Sequence, residues 1–127
     1  MGRILIRGGR VLDPATDRDA PGDVLIEDGR ISAVDDSIEA TDAEIIDAAG
    51  CWVTPGLIDI HTHVYTFTPT TESYVGALNA DAHLLSAGVT TTVDAGTAGW
   101  VDWLDFKERC IDKSKVRILA FLNVASR

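Results

Sequence analysis

From Gly56 to Asn123 the chain alternates between two hydrophobic rhythms, and nothing else in it narrows the possible folds as much. Leu57 to His63 is an apolar, strand-forming run begun sharply by the turn signal Pro55-Gly56. Glu72 to Ala87 carries Val75, Leu78, Ala82 and Leu85 near helical spacing, with Gly88 as a stop. Val89-Thr90-Thr91-Thr92-Val93 is a β-branched strand, and Asp94 to Gly99 a turn. Trp100 to Lys113 offers a second helical stripe through Trp100, Trp103, Leu104 and Ile111. Val116 to Val124 is a third strand. Strand–helix–strand–helix–strand requires parallel strands joined by crossover helices, because strands of one direction cannot be linked by tight turns.

Residues 1–55 keep a different rhythm. Ile4-Leu5-Ile6 and Val11-Leu12 flank Arg7-Gly8-Gly9-Arg10, a hairpin signal. Asp13 to Asp17 is a turn-rich loop. Asp23 to Glu27 and Arg30 to Val34 flank Asp28-Gly29, a strong two-residue turn. Glu44 to Asp47 and Cys51 to Thr54 are two more short strands. Short strands with glycine turns predict a small β-sandwich or meander, with Asp47 and the other acids as solvated strand ends.

The chemistry concentrates at the end of the first parallel strand. Alternation puts Asp59, His61 and His63 on one face and Ile58, Ile60 and Thr62 on the other. Two imidazoles with backbones about 6.5–7 Å apart can converge on one ion. Three polar groups on one face of a buried strand need a compensating partner. The strand also aims its carboxyl end at the histidines, where α/β barrels carry their chemistry. Asp59 has two readings, an acceptor for a ligand imidazole or a buried acid tied to backbone donors. Asp94 with Gly96-Thr97 either lines a substrate site or caps the next helix. Asn123 either donates to a substrate carbonyl or starts a loop. His83 reads as a surface or packing histidine, and Tyr65 with the Thr-rich loop after it is open to substrate contact.

Twenty acidic against 11 basic residues, a net charge of −9 with no Lys/Arg cluster, argues against a nucleic-acid surface. No apolar run approaches a membrane span, and the N-terminus lacks a secretory pattern. Cys51 and Cys110 form no CxxC, which fits free thiols in a reducing cytoplasm. A closed (β/α)8 barrel takes about 200–250 residues, and three parallel strands leave an apolar edge. The expectation is therefore the N-terminal piece of a longer protein: an α/β chain with the first three strands of an incomplete TIM-type barrel (56–127), preceded by part of a small β-sandwich (1–55).

The run P-G-L-I-D-I-H-T-H at 55–63, followed by A-G-V-T-T-T-V-D-A-G at 87–96 and the N-terminal strands, resembles the amidohydrolase superfamily. The stretch Val89–Gly99 with Arg117–Asn123 resembles its deacetylase branch, alongside dihydroorotase- and hydantoinase-type members. The resemblance implies a composite β-sandwich around a metallohydrolase barrel, and His61 and His63 as ligands of a divalent metal, usually zinc, in a binuclear site. It implies hydrolysis of amide-type C–N (or acyl ester) bonds of a small molecule, in a cytoplasmic, homo-oligomeric enzyme. The family's bridging carboxylated lysine, two later histidines and proton-shuttling aspartate have no counterpart here, so no catalytic residue is expected before Arg127 and the piece alone is expected to be nearly inert. A cyclic-amide hydrolase and a non-catalytic, partner-requiring module are the competing readings.

Overall fold

The structure is a computed structural model that describes residues 2–66 and 76–124. The chain divides into two compact units, Met1–Pro55 and Gly56–Arg127.

The first unit is one mixed sheet. Strand β1 (Ile4–Asp13) pairs antiparallel with β2 (Arg18–Glu27), which pairs antiparallel with β3 (Arg30–Asp35). On its other edge β1 takes two short parallel strands in succession, β4 (Glu44–Asp47) against Ile4–Arg7 and β5 (Trp52–Val53) against Arg10 and Val11. The hairpin predicted at Arg7–Arg10 is absent; β1 runs straight through it. Gly8 sits at φ +75°, the register slips between Ile6 and Gly9, and the result is a bulge and not a reversal. Asp23 secures that bulge. Its Oδ1 accepts the Gly8 N–H at 2.8 Å and its Oδ2 accepts the Ile38 N–H at 2.9 Å, with the residue 4% exposed. Asp23 is thus a buried tie and not a solvated strand end. Among its described residues this unit holds this one sheet. Ile38, Ala40 and Ala43 of the irregular segment 36–43 pack on Leu5, Leu25 and Ala33. The Asp28-Gly29 turn forms as expected, with φ +50° and +76°.

The second unit is α/β. Strands β6 (Leu57–Thr62), β7 (Val89–Asp94) and β8 (Arg117–Ala120) form a parallel sheet in that order. Between them lie two short helices, α1 (Ala80–His83) and α2 (Trp103–Arg109), each followed by a single tighter turn, Leu85–Ala87 and Ile111–Lys113. Residues 72–75 of the first predicted helix, Val75 included, and 67–71 of the Thr-rich loop lie outside the described residues. The predicted stripes pack in part: Leu78, Trp103 and Ile111 lie against the core, and their other described members face out. On the first helical segment Ala80 and Leu84 enter the core while Ala82 and Leu85 face out; on α2 Phe106 is fully buried while Leu104, and Trp100 ahead of the helix, are exposed. The spacing that packs is Trp103, Phe106, Cys110, a i, i+3, i+7 series that the two exposed residues hid. Tyr65 joins this core, its ring 4.9 Å from that of Phe106 and its hydroxyl donating to Asp105 Oδ2 at 2.7 Å. Burial, with that carboxylate beside it, pushes the phenol pKa far above its ordinary value. Tyr65 is therefore a packing residue and not a loop contact.

Candidate metal centre

Strand β6 enters the sheet under a tight steric constraint. A Cβ on Gly56 would come within 2.0 Å of Thr90 Oγ1 and 2.8 Å of Thr90 Cβ, so only glycine lets β6 start this close to β7. Alternation then breaks down along β6. Its register against β7 slips between Leu57 and Ile58 and again between Asp59 and Thr62. Thr62 turns into the core, its hydroxyl 2.7 Å from that of Thr92, while Ile58 and Ile60, predicted on the same face, are 65% and 75% exposed.

The two imidazoles come together at the carboxyl end of this strand. Their ring centroids are 5.7 Å apart, with planes at 77°. Two imidazoles sharing a tetrahedral ion at about 2.1 Å from each nitrogen would have centroids about 5 Å apart. The pair therefore fits as two of the donors of a zinc-type site. Among the described residues no group of three or more His, Cys, Asp or Glu side chains converges as a further ligand set.

His63 is held. Its Nδ1 lies 2.8 Å from Thr97 Oγ1. Thr97 is placed by Asp94, which is fully buried and whose Oδ1 accepts the N–H groups of Thr97 (2.7 Å) and Gly96 (3.1 Å). Asp94 Oδ2 accepts the N–H of Val64 at 2.8 Å, the residue after His63. Asp94 builds the turn with Gly96 and Thr97 and does not cap α2, which starts nine residues later. Asn123 braces the same turn: its side-chain amide donates to Gly96 O at 3.2 Å and its N–H to Ala98 O at 3.0 Å. Asp59, half-buried, accepts the backbone N–H of His61 on Oδ1 at 3.0 Å. His83 is exposed on α1, apart from this group. The sequence groups Thr97 with Asp94 as lining a substrate site or forming a helix-capping turn, and names no partner for its hydroxyl. Its link to His63 spans 34 positions and becomes visible only once β6 and β7 are paired.

A cavity of about 240 Å³ lies on the helical side, between Asn79, Asp81, Arg109, Cys110 and Ser114; neither imidazole lines it. Asp81 there is committed to structure. It accepts from the Ser114 hydroxyl at 2.6 Å and from the Lys115 and Val116 N–H groups, which hold its carboxyl below the usual range.

Among the described residues no helix is long and apolar enough to cross a membrane. A deacetylase of Brucella anthropi is 42% identical over 113 residues, 85% of this chain and 26% of that protein. A dihydroorotase of Syntrophotalea carbinolica is 63% identical over 62 residues, 49% of this chain and 15% of that protein. The crystal structure of a dihydroorotase superposes over 99% of this chain and 32% of its own, with a TM-score of 0.77 at 29% identity. The chain thus spans about a quarter or less of the length of the curated relatives it matches. The profile of the amidohydrolase family matches residues 52–121, more than half of the sequence and all of β6, β7 and β8. The chain belongs to the amidohydrolase family.

Proposed function

We propose that His61 and His63 are the first two ligands of the divalent-metal centre of a hydrolase acting on amide-type C–N bonds, or acyl esters, of a small molecule. The observation that carries this reading is the imidazole pair at the tip of β6, spaced for one ion and with one ring held from the turn after β7. In the same reading β6, β7 and β8 open a (β/α)8 barrel, whose carboxyl ends carry the site, and residues 1–55 belong to a composite β-sandwich. An ion held there, zinc by the chemistry of its nitrogen ligands, would polarise the scissile carbonyl and lower the pKa of a bound water to about 7. The chain's own residues bind and orient: His61 and His63 supply nitrogen donors, Asp59 fixes the main chain at His61, and Asp94 fixes the loop facing them. Two imidazoles are half of a tetrahedral set, so these residues by themselves hold an ion weakly and bring no general acid for the leaving nitrogen.

A deacylase is favoured for substrate, because the Brucella anthropi deacetylase matches along 85% of the chain, through both units. The denser but shorter match to a dihydroorotase supports a cyclic-amide hydrolase as the second reading. Metal analysis of the purified enzyme tests the centre. His61→Ala and His63→Ala are each expected to lower bound zinc or cobalt by about tenfold or more at a fixed free-ion level. Unchanged metal content in both variants would overturn the assignment. Activity of the wild type on N-acetylated compounds against dihydroorotate separates the two substrate classes.

A further inference from the structure

We propose that Thr97 is a positioning residue for His63: its hydroxyl accepts the Nδ1–H of the imidazole, so that Nε2 is the nitrogen offered to a cation. This rests on the reading of His61 and His63 as metal ligands.

The argument is one of closed geometry. A neutral imidazole carries its proton on one nitrogen, and the other is the donor to a metal. Which nitrogen is protonated is set by the hydrogen bond the ring makes. Nδ1 here lies 2.8 Å from the hydroxyl of Thr97. That hydroxyl is not on a free loop. The Thr97 N–H is tied to Asp94 Oδ1, and the other oxygen of the same carboxylate receives the N–H of Val64, directly after His63. Both ends of the Thr97–His63 bond are therefore fastened to one buried side chain. The path His63, Val64, Asp94, Thr97, His63 is a ring with no exposed flexible link. Asn123 holds the turn from the side of β8 through Gly96 and Ala98. A ring this closed has little use in a turn that only connects β7 to α2, since the N–H bonds of Gly96 and Thr97 to Asp94 already build that turn. The hydroxyl bond adds the orientation of the imidazole.

The test compares Thr97→Val, which removes the hydroxyl at nearly equal volume, with Thr97→Ser, which keeps it. Long-range ¹H–¹⁵N spectra of the histidine rings read the tautomer without any metal. The wild type and T97S are expected to hold the Nδ1–H form at His63, and T97V to shift toward Nε2–H, with the backbone spectrum of β6–β8 unchanged. Cobalt titration of the same proteins is expected to show T97V weakened by about 10–100-fold and T97S near wild type. A wild type already in the Nε2–H form, or a T97V protein with the wild-type tautomer and cobalt affinity, overturns the role of Thr97. A wild type in the Nδ1–H form that takes up no cobalt overturns the metal-centre reading and leaves the hydrogen bond standing. A T97V protein that fails to fold while T97S folds and shows the mixed tautomer also counts against the proposal.

Discussion

Each unit of this chain ties backbone to a buried aspartate, Asp23 in the middle of β2 and Asp94 at the end of β7, and the two are used differently. Asp23 takes two N–H groups, those of Gly8 and Ile38, and so holds a bulge and an irregular segment against the same sheet. Asp94 takes three, those of Val64, Gly96 and Thr97, and one of these residues carries a hydroxyl set against an imidazole. The physics at the carboxylate is the same: a buried charge is tolerated where fixed N–H dipoles replace its water. What differs is what the anchored backbone presents. In the first unit it presents apolar side chains to a small core; in the second it presents a hydrogen-bonding group to a candidate ligand.

Substitutions can break that contrast. Asp94→Ala leaves three N–H groups without their acceptor in a fully buried place, and is expected to destabilise the second unit by on the order of 3–5 kcal/mol while weakening cobalt binding. Urea unfolding and the same cobalt titration check both effects. Asp23→Ala strands two donors and is expected to cost about 2–4 kcal/mol in the first unit, with cobalt affinity unchanged. If both variants lowered cobalt affinity alike, the distinction drawn here between the two carboxylates would be wrong. Asp81 sharpens it from a third side. The Ser114 hydroxyl first, then the Lys115 and Val116 N–H groups, hold its pKa below the usual carboxylate value of about 3.9. A depressed folded-state pKa contributes stability that is present above the unfolded value and is lost as pH falls through the folded one. The gap in unfolding midpoint between wild type and Asp81→Asn should therefore be small but measurable at pH 7 and close below about pH 4. A gap that does not change with pH would mean that hydrogen-bond geometry alone, and not charge, makes this contact.

The sequence announced the parallel order of β6, β7 and β8 because apolar strand-formers, helical spacing and turn glycines agreed there. The meeting of His61 and His63 at a strand tip was legible for the same reason: it follows from local spacing. Three features were hidden. The pair Gly8-Gly9 looks like a reversal, yet the acceptor that turns it into a bulge, Asp23, is 15 residues away. The buried stripe of α2 centres on Phe106, but Trp100 and Leu104 are as apolar and only packing tells them apart. Thr97 reads as one more turn residue, since its partner His63 lies on another strand. Each miss is a tertiary contact overriding a local signal.

The same irregularity in β6 makes the two imidazoles mechanically unequal. The strand is pinned at its entrance, where Gly56 leaves no room against Thr90, and at its exit, where Val64 is bound to Asp94. The slack lies between, where the register slips and the N–H of His61 closes a small loop with its own neighbour Asp59. On the proposed metal-centre reading, the residue at 63 would be the more firmly tied of the pair, and a change in ionic radius would fall on 61.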